Sequence, residues 1–342
     1  MIDLNSIIRP NIRQLKPYSS ARDEFSGTEG IFLDANENPF GTLNRYPDPY
    51  QQELKAQIAD LKGLNTDSIF IGNGSDEVID LVFRICCEPG KDKALTFTPT
   101  YGMYEVAANI NNAELIHIPL DDQFQIDLKT VQPYLSDPKL KLILICSPNN
   151  PTGNLMEREK IEYILANFEG LVLVDEAYVD FADEESLIGL LSKYNNLIVS
   201  QTFSKAWGLA AARVGTAYAS QEMIGWFNKV KPPYNVSTPN QQAVLNALKN
   251  YKEYSKQVEM IRQEKEQLIN ALGKIASVKR IYPSDANFIL LEVDDANALY
   301  AVLSEQKIIV RNRNTVIPNG IRISIGTPEE NNLLINTLTQ IA

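Results

Sequence analysis

The chain has 342 residues, 44% of them hydrophobic, which is ordinary for a soluble globular protein with room for two domains. Aspartate and glutamate outnumber lysine and arginine by 43 to 32, so the formal net charge is −11. Because nucleic acids and anionic membranes repel an acidic chain, neither is expected as a partner, and an anionic substrate would have to be bound by local arginines.

The first 35 residues, 1–35, have no regular pattern and contain Pro10 and Pro17 as breakers, so they are expected to form an N-terminal arm. They also lack a signal-peptide pattern, and no apolar run reaches the ~18 residues of a membrane span. The three cysteines, Cys86, Cys87 and Cys146, lie in apolar segments, as is typical of buried thiols in a reducing compartment. These features predict a cytoplasmic protein.

From residue 50 onward, helical and strand patterns alternate. Helices are predicted at Tyr50–Leu61 and Glu77–Cys87, and strands at Ser68–Ile71, Ala94–Phe97, Leu115–Ile118, Lys141–Cys146, Leu171–Val174 and Leu197–Ser200. The lone histidine, His117, lies within one of these strands, and no other ligand is spaced to form a metal site with it. The alternation predicts an α/β fold with a mostly parallel sheet between helices.

The C-terminal third has a different organisation. One long amphipathic helix is predicted over Gln241–Leu272. Shorter elements follow, namely strands at Phe288–Val293, Ile308–Val310 and Ile321–Ile325 and helices at Ala296–Glu305 and Pro328–Ile341. The predicted organisation is therefore the arm 1–35, a large domain 36–240 and a smaller α+β domain 241–342.

Three polar motifs follow apolar runs of the predicted sheet. They are S-P-N-N-P-T-G from Ser147, D-E-A-Y from Asp175 and T-F-S-K-A-W-G-L-A-A-A-R-V-G from Thr202. Each motif alone could be a turn or a helix cap. Ligands of open α/β sheets, however, bind beyond the carboxyl ends of the strands, where all three motifs should meet. A nucleophilic lysine, a carboxylate, an amide and an arginine are the groups that hold and tune pyridoxal phosphate.

In their order and spacing, these motifs resemble those of fold-type I aminotransferases that use pyridoxal phosphate. Within that superfamily the chain is most similar to the histidinol-phosphate aminotransferase family. Further matches cover nearly the whole chain, namely N-I-R-Q-L-K-P-Y from Asn11, L-D-A-N-E-N-P from Leu33, N-R-Y-P-D from Asn44, G-N-G-S-D-E from Gly72 and I-R-I-S-I-G-T-P-E-E-N from Ile321. The segment P-Y-S-S-A-R from Pro17 and a C-terminal arginine pair narrow the resemblance to that family.

The resemblance implies a set of cofactor contacts. Lys205 would hold the cofactor as a Schiff base and serve as general acid and base, while Asp175 would pair with the pyridine nitrogen. Asn149 and Tyr178 would donate hydrogen bonds to the phenolic oxygen of the ring, and Tyr101 would stack on its face. The cofactor phosphate would lie at a helix N-terminus. Its contacts would be Gly74, Ser75, Asp76, Thr202, Ser204 and Arg213, with Tyr46 from the partner subunit of a homodimer.

Substrate contacts follow from the same resemblance and from charge. Arg322 lies between two isoleucines of a predicted strand, where an arginine is costly to bury without an anion. Arg322 and Arg311 would bind the substrate phosphate and the carboxylates of glutamate, with Tyr18 and Asn36 nearby as the arm packs on the small domain and the site. Arg313 is expected to be a solvated loop charge.

The implied reaction is ping-pong transfer of an amino group from L-histidinol phosphate to 2-oxoglutarate, giving imidazole acetol phosphate and L-glutamate in histidine biosynthesis. An aromatic or broad-specificity aminotransferase and a threonine-phosphate decarboxylase remain as alternatives on the same scaffold. A non-catalytic regulator is less consistent with the sequence, because no basic DNA-binding domain fits before Leu33. Trp207 stands where phenylalanine is more usual, and Ala210–Ala212 lack a glycine often found there. These departures affect only the detailed shape of the pocket.

Overall fold

The larger of two sheets has seven strands, and the structure, a computed structural model, describes residues 2–18 and 30–341. The strands are β1 (Ile69–Gly72), β2 (Lys93–Thr98), β3 (Glu114–Pro119), β4 (Leu140–Cys146), β5 (Leu171–Asp175), β6 (Leu197–Thr202) and β7 (Gly215–Tyr218). Their order is β1-β7-β6-β5-β4-β2-β3. β7 runs antiparallel to both of its neighbours, and the remaining strands are parallel to one another. The predicted mostly parallel sheet is confirmed.

Helices cover both faces of this sheet. They are α1 (Leu4–Ile7), α2 (Pro10–Gln14), α3 (Gln52–Lys62), α4 (Ser75–Cys86), α5 (Met103–Ile110), α6 (Leu128–Val131), α7 (Arg158–Asn167), α8 (Gln221–Val230) and α9 (Thr238–Lys249). Successive residues of β5 point to opposite faces, so Val172 joins one apolar cluster with α3 and α7, and Leu173 joins the other with α4 and α8. A strand buried on both faces needs a continuous apolar sequence, which is what β4 and β5 have.

The described part of the N-terminal arm packs on the large sheet. Leu4 and Ile8 belong to the apolar cluster that contains Phe83 of α4 and Phe227 of α8. Backbone atoms support this position, since the Arg9 amide donates to a carbonyl of α4. The expected packing on the small domain is therefore not what residues 2–14 do, because their apolar side chains are buried between α4 and α8.

The second sheet is antiparallel and lies in the C-terminal part. Its strands are β8 (Val278–Ile281), β9 (Phe288–Val293), β10 (Arg311–Asn312) and β11 (Gly320–Ser324), in the order β10-β11-β9-β8. Three helices belong to this part, α10 (Tyr251–Leu272), α11 (Ala296–Glu305) and α12 (Pro328–Ile341). Ile289 and Leu291 of β9 face these helices, whereas Phe288 on the opposite face packs on Tyr178 in the loop after β5.

Two elements differ from their predicted form. The helix predicted over Gln241–Leu272 is two helices that meet at Asn250, whose side chain donates to the Asn246 carbonyl and so satisfies an acceptor at the end of α9. The strand predicted at Ile308–Val310 is instead the two-residue β10, because pairing with β11 begins only at Arg311. β7 and β8 were not expected from the sequence.

Candidate active site

A cavity of about 400 Å³ lies at the carboxyl ends of β5 and β6, and residues of both the large and the small sheet line it. Polar residues from both halves of the chain line it. They are Ser75, Asp76, Tyr101, Asn150, Asp175, Tyr178, Thr202, Ser204, Lys205, Arg213, Arg311, Arg313 and Arg322, with Cys146, Ala177 and Ala210. Most of the residues expected at the cofactor and substrate sites are therefore brought together in one place.

Asp175 is a buried carboxylate at the end of β5. Its oxygens accept hydrogen bonds from the Tyr104 hydroxyl at 3.1 Å, the Ser200 hydroxyl at 3.2 Å and the Ala177 amide at 3.2 Å. Burial nevertheless raises the pKa of Asp175 to about 6, with these bonds acting in the opposite direction. A cationic group in the cavity would remove this penalty, so the site fits a protonated ring nitrogen.

Lys205 follows β6 in a turn, and its side chain faces the cavity. Desolvation and then the positive charge of Arg322 lower the pKa of Lys205, while Asp175 raises it. The Nζ atom lies 5.7 Å from the ring centre of Tyr178. A lysine with a lowered pKa is a better nucleophile and base at neutral pH than an exposed one.

One end of the cavity is built to receive an anion. The helix α4 begins at Ser75 with no side-chain cap, so its first amides remain available, and Ser204, Thr202 and Arg213 line the same end. Gly74 precedes the helix with φ of 77°, and a Cβ atom there would lie 2.6 Å from Arg213 Nη2. Glycine at this position therefore allows Arg213 to approach the helix N-terminus, where it donates to Asp76 at 3.2 Å.

The amide that faces the cavity is Asn150, and the expected Asn149 lies outside the lining. The side chain of Asn149 accepts from Thr100 at 2.9 Å and donates to the Pro99 carbonyl at 2.9 Å and to Thr152 at 2.8 Å. These bonds hold the loop after β4 to the residues that follow β2. Asn150 instead donates to the Tyr178 hydroxyl at 3.3 Å. The assignment of the cavity amide to Asn149 is corrected to its neighbour.

Two tyrosines complete the walls. Burial raises the pKa of Tyr178, which keeps its hydroxyl protonated and able to donate. The hydroxyl of Tyr101 donates to Asp76 at 3.1 Å, and its ring lies edge-on to Tyr104 with centroids 5.7 Å apart. Tyr101 thus contributes an aromatic ring to the wall of the cavity.

The second sheet contributes the three arginines that line the cavity. Arg322 donates to the Asn150 side-chain oxygen, which ties β11 to the loop after β4. Its guanidinium also lies 5.1 Å from the ring centre of Phe288. Arg311 faces the cavity as expected, and Arg313, expected to be a solvated charge, does so as well. The position of Arg313 could be inferred from strand alternation, because a residue two positions after Arg311 in an extended segment faces the same side as Arg311.

Three residues expected at the site are elsewhere in the single chain. Tyr18 is 68% exposed and does not line the cavity. Asn36 and Tyr46 line a separate depression with Ser237, and the Tyr46 ring stacks on Tyr234 with centroids 4.4 Å apart. Ser19–Arg22 of the motif P-Y-S-S-A-R lie outside the described residues.

The chemistry of the cavity matches one kind of cofactor. One end of the cavity is an anion cradle formed by the N-terminus of α4 with Thr202, Ser204 and Arg213. The other groups are a buried carboxylate that a cation would stabilise, two hydrogen-bond donors at Tyr178 and Asn150, and a lysine. Within the described residues no cluster of histidine, cysteine, aspartate or glutamate could hold a metal ion. This arrangement, at the end of a mostly parallel sheet that is accompanied by a small antiparallel one, defines a fold-type I transferase dependent on pyridoxal phosphate.

Comparison with known proteins agrees with the fold and with pyridoxal phosphate as the cofactor. The profile of the family described as aminotransferase class I and II matches residues 28–338, so the chain belongs to that family. A histidinol-phosphate aminotransferase of Cytophaga hutchinsonii is 49% identical over 98% of each chain, and one of Parabacteroides distasonis is 50% identical over 99% of each. A solved histidinol-phosphate aminotransferase of Sinorhizobium meliloti in complex with pyridoxal-5'-phosphate has a TM-score of 0.80 at 25% identity, covering 87% of this chain and 82% of that one.

Proposed function

We propose that the chain transfers the amino group of L-histidinol phosphate to 2-oxoglutarate in histidine biosynthesis, with pyridoxal phosphate as cofactor. The observation that carries this proposal is the set of three arginines facing Lys205 across one cavity. Such a set requires anionic substrates, and both histidinol phosphate and glutamate are anions. The relatives that are about half identical over the full length are called histidinol-phosphate aminotransferases, which supports this choice.

Different residues of the cavity would bind different parts of the cofactor. Arg213, Ser75, Thr202 and Ser204 fit its phosphate, and Asp175 fits its ring nitrogen. When bound, pyridoxal phosphate supplies a carbonyl that condenses with amines and a ring that accepts the electron pair released at the substrate carbon. An ionised Asp175 favours a protonated ring nitrogen, because opposite charges in a desolvated site stabilise each other.

Lys205 would move the proton. Its Nζ, with a lowered pKa, would accept the proton from the substrate carbon that bears the amine and would then donate it, as a general acid, to the cofactor carbon that takes up the amino group. The donor and acceptor substrates use the same site in turn, so the kinetics should be ping-pong. Tyr178 and Asn150, which both line the cavity and are joined by a hydrogen bond of 3.3 Å, would donate hydrogen bonds to the phenolic oxygen of the ring.

A homodimer belongs to the same proposal. Large apolar side chains within the segment 31–46 are strongly exposed, namely Ile31 at 91%, Leu33 at 89%, Phe40 at 81% and Leu43 at 70%. Exposed apolar patches of this kind mark protein contacts. A second copy of the chain would cover these side chains. In such a dimer, Tyr46 of each subunit would lie at the cofactor cavity of the other subunit. Tyr18 and Asn36 would complete the substrate site in the assembled dimer.

The remaining expectations on organisation are also part of the proposal. Strands of the large sheet lie within 69–218 and those of the small sheet within 278–324, which supports a large domain 36–240, a small domain 241–342 and an arm 1–35. The three cysteines are free and buried, in keeping with the cytoplasm. No helix among the described residues is long and apolar enough to cross a membrane. The net charge of −11 argues against nucleic acid as a partner.

The test is an amino-transfer assay with 2-oxoglutarate on the loaded enzyme. Histidinol phosphate, histidinol, tyrosine and phenylalanine are compared as donors, and threonine phosphate is tested for release of carbon dioxide. We expect histidinol phosphate to have the highest kcat/KM, with no decarboxylation. A preference for tyrosine would make the chain an aromatic aminotransferase, and carbon dioxide from threonine phosphate would make it a decarboxylase.

A further inference from the structure

The pairing of β10 with β11 puts three arginines on one face of a two-stranded ribbon. Arg311 lies directly opposite Arg322 in the antiparallel register, and directly opposite residues share a face. Arg313 is two residues beyond Arg311, and its amide donates to the Gly320 carbonyl at 2.8 Å, so the pairing continues past the strand. Because side chains alternate along a strand, Arg313 faces the same way as Arg311. All three line the cavity.

The positive charge on this face is not balanced by the protein. Within the parts of the chain that the structure describes, no ion pair joins any of the three arginines to a carboxylate. The Nε atoms of Arg313 and Arg322 are buried without an acceptor. Arg213 differs, because it is paired with Asp76. Buried donors that lack a partner favour binding of an anion.

Arg313 occupies a distinct place among the three. Burial, followed by repulsion from Arg322 and Arg311, lowers its pKa. Its side chain lines both the cofactor cavity and an adjoining cavity of about 460 Å³ that contains Tyr101 and Pro151. Arg322 is already fixed by Asn150 and is close enough to lower the pKa of Lys205. Among the three, Arg322 is therefore the arginine whose charge acts on Lys205, and Arg313 is the one that also lines the adjoining cavity.

We propose that Arg313 is a specificity-determining residue that binds the phosphate of the substrate together with Arg311. A phosphomonoester carries up to two negative charges and three terminal oxygens, whereas a carboxylate carries one charge and two oxygens. A single arginine fork satisfies a carboxylate, and a second guanidinium is needed to use the charge and oxygens of a phosphate. This inference rests on the proposed function and identifies the chemistry by which that site selects a phosphorylated amine.

The side chain of Arg313 can be changed with little risk to the fold. Its backbone carbonyl accepts from Val316 and Ile317, and its amide pairs with Gly320, so these bonds survive replacement. Arg313→Gln removes the charge and keeps a polar side chain. Arg313→Lys keeps the charge and removes the planar fork. Arg280→Gln is the matched control, because Arg280 is an exposed arginine of the same antiparallel sheet that does not line the cavity.

The experiment measures kcat/KM for histidinol phosphate and for histidinol, and inhibition by inorganic phosphate. Arg313→Gln should narrow the preference for the phosphorylated donor by about 10- to 150-fold, the range for losing a hydrogen bond to a charged group. It should raise the inhibition constant of phosphate by a similar factor and change the glutamate half-reaction less. Arg313→Lys should restore part of the preference, and Arg280→Gln should leave it unchanged.

Two results would overturn the proposal. One is an Arg313→Gln variant that prefers histidinol phosphate over histidinol as strongly as wild type does. The other is a loss of kcat/KM that is equal for the two donors, which would indicate a structural role. Failure of the proposed function gives a different result, because wild type would then show no preference for histidinol phosphate over histidinol. The inhibition constant of inorganic phosphate still reports on Arg313 in that case, since it does not depend on which amine is the donor.

Discussion

The Nδ2 atom of Asn150 donates a hydrogen bond to the hydroxyl oxygen of Tyr178 over 3.3 Å, while Oδ1 of the same amide accepts from Arg322. One side chain thus joins the β5 loop to the small sheet at the cavity. Asn150→Ala should lower kcat/KM by about 10- to 100-fold, because donors at the cavity are lost and Arg322 is released. The measurement is steady-state kinetics with histidinol phosphate and 2-oxoglutarate.

The neighbouring residue gives the matched control. The side chain of Asn149 makes three hydrogen bonds, two to residues that follow β2 and one to Thr152 of its own loop, and it does not line the cavity. Asn149→Ala should therefore lower the free energy of unfolding, by about 1–3 kcal/mol, more than it lowers activity per folded molecule. If Asn149→Ala were the more damaging change to kcat at equal folded fraction, the assignment of the cavity amide to Asn150 would be wrong.

Replacement of Lys205 should remove turnover and leave cofactor binding largely in place. Lys205→Ala keeps the anion cradle and Asp175, so the cofactor can still bind, but the proton carrier is gone and kcat should fall by orders of magnitude. Borohydride treatment followed by peptide mass analysis should find a cofactor adduct at residue 205 in wild type and none in the variant. Lys193→Ala, which removes an exposed lysine paired with Glu162, should behave as wild type. Near-native activity in Lys205→Ala would refute the role.

The raised pKa of Asp175 predicts how the stability of the cofactor-free protein depends on pH. The pKa rises from 3.8 to about 6 on folding, so the contribution of this group to stability is complete below pH 4 and is lost as the pH rises through 6. The difference corresponds to about 3 kcal/mol. Asp175→Asn should abolish this part of the pH dependence. Denaturant unfolding of both proteins between pH 4 and 8, without cofactor, measures it.

The bound cofactor should reverse this effect. A protonated ring nitrogen beside Asp175 compensates its charge, so wild type should gain more stability from the cofactor at pH 8 than Asp175→Asn does. Equal pH profiles for the two cofactor-free proteins would show that Asp175 is not the titrating group.

Gly74 should be sensitive to the addition of a single methyl group. Gly74→Ala places a Cβ atom 2.6 Å from Arg213 Nη2, at a φ of 77° that side chains rarely adopt. Arg213 must then move from the anion cradle, and cofactor affinity should drop by about 10-fold or more. Gly189→Ala serves as control, since a Cβ atom there meets nothing within 4 Å. Equilibrium titration with pyridoxal phosphate gives the affinities, and equal values for the two variants would exclude the cradle.

Shared active sites predict complementation between two inactive variants. Tyr46→Ala and Lys205→Ala subunits, mixed under conditions of subunit exchange, should form hybrid dimers with one site that carries both defects and one that carries neither. Partial activity should then reappear. Absence of recovery despite demonstrated exchange, or an active monomer in sedimentation, would contradict the proposed role of Tyr46.

The sequence predicted β1 to β6 of the large sheet but not β7, because buried parallel strands have short apolar sequences with turns at their ends. β5 and β6 begin at the predicted residues. The break at Asn250 escaped prediction, since neither glycine nor proline marks it and the amphipathic pattern continues across it.

Site residues were predictable where a strand end fixes their position. Asp175 is the last residue of β5, Lys205 follows β6, and both line the cavity. The choice between Asn149 and Asn150 was not predictable in this way, because both lie in a loop where the alternation of a strand no longer decides which side chain faces inward. Arg313 could have been found from its two-residue spacing to Arg311, but the predicted strand ended before it.

The three arginines Arg311, Arg313 and Arg322 lie on, or directly after, the paired strands β10 and β11 of the small sheet. Asp175 and Lys205, by contrast, lie at the ends of strands of the large sheet. Natural variation can therefore act on the two parts separately. Substitutions of the arginines on β10 and β11 can change which anionic group of the amine substrate is bound, while Lys205 and Asp175 remain unchanged. An enzyme divided in this way can change its substrate while its proton-transfer residues stay the same. Exchange of residues 311–324, which contain all three arginines, between relatives should therefore change the range of substrates.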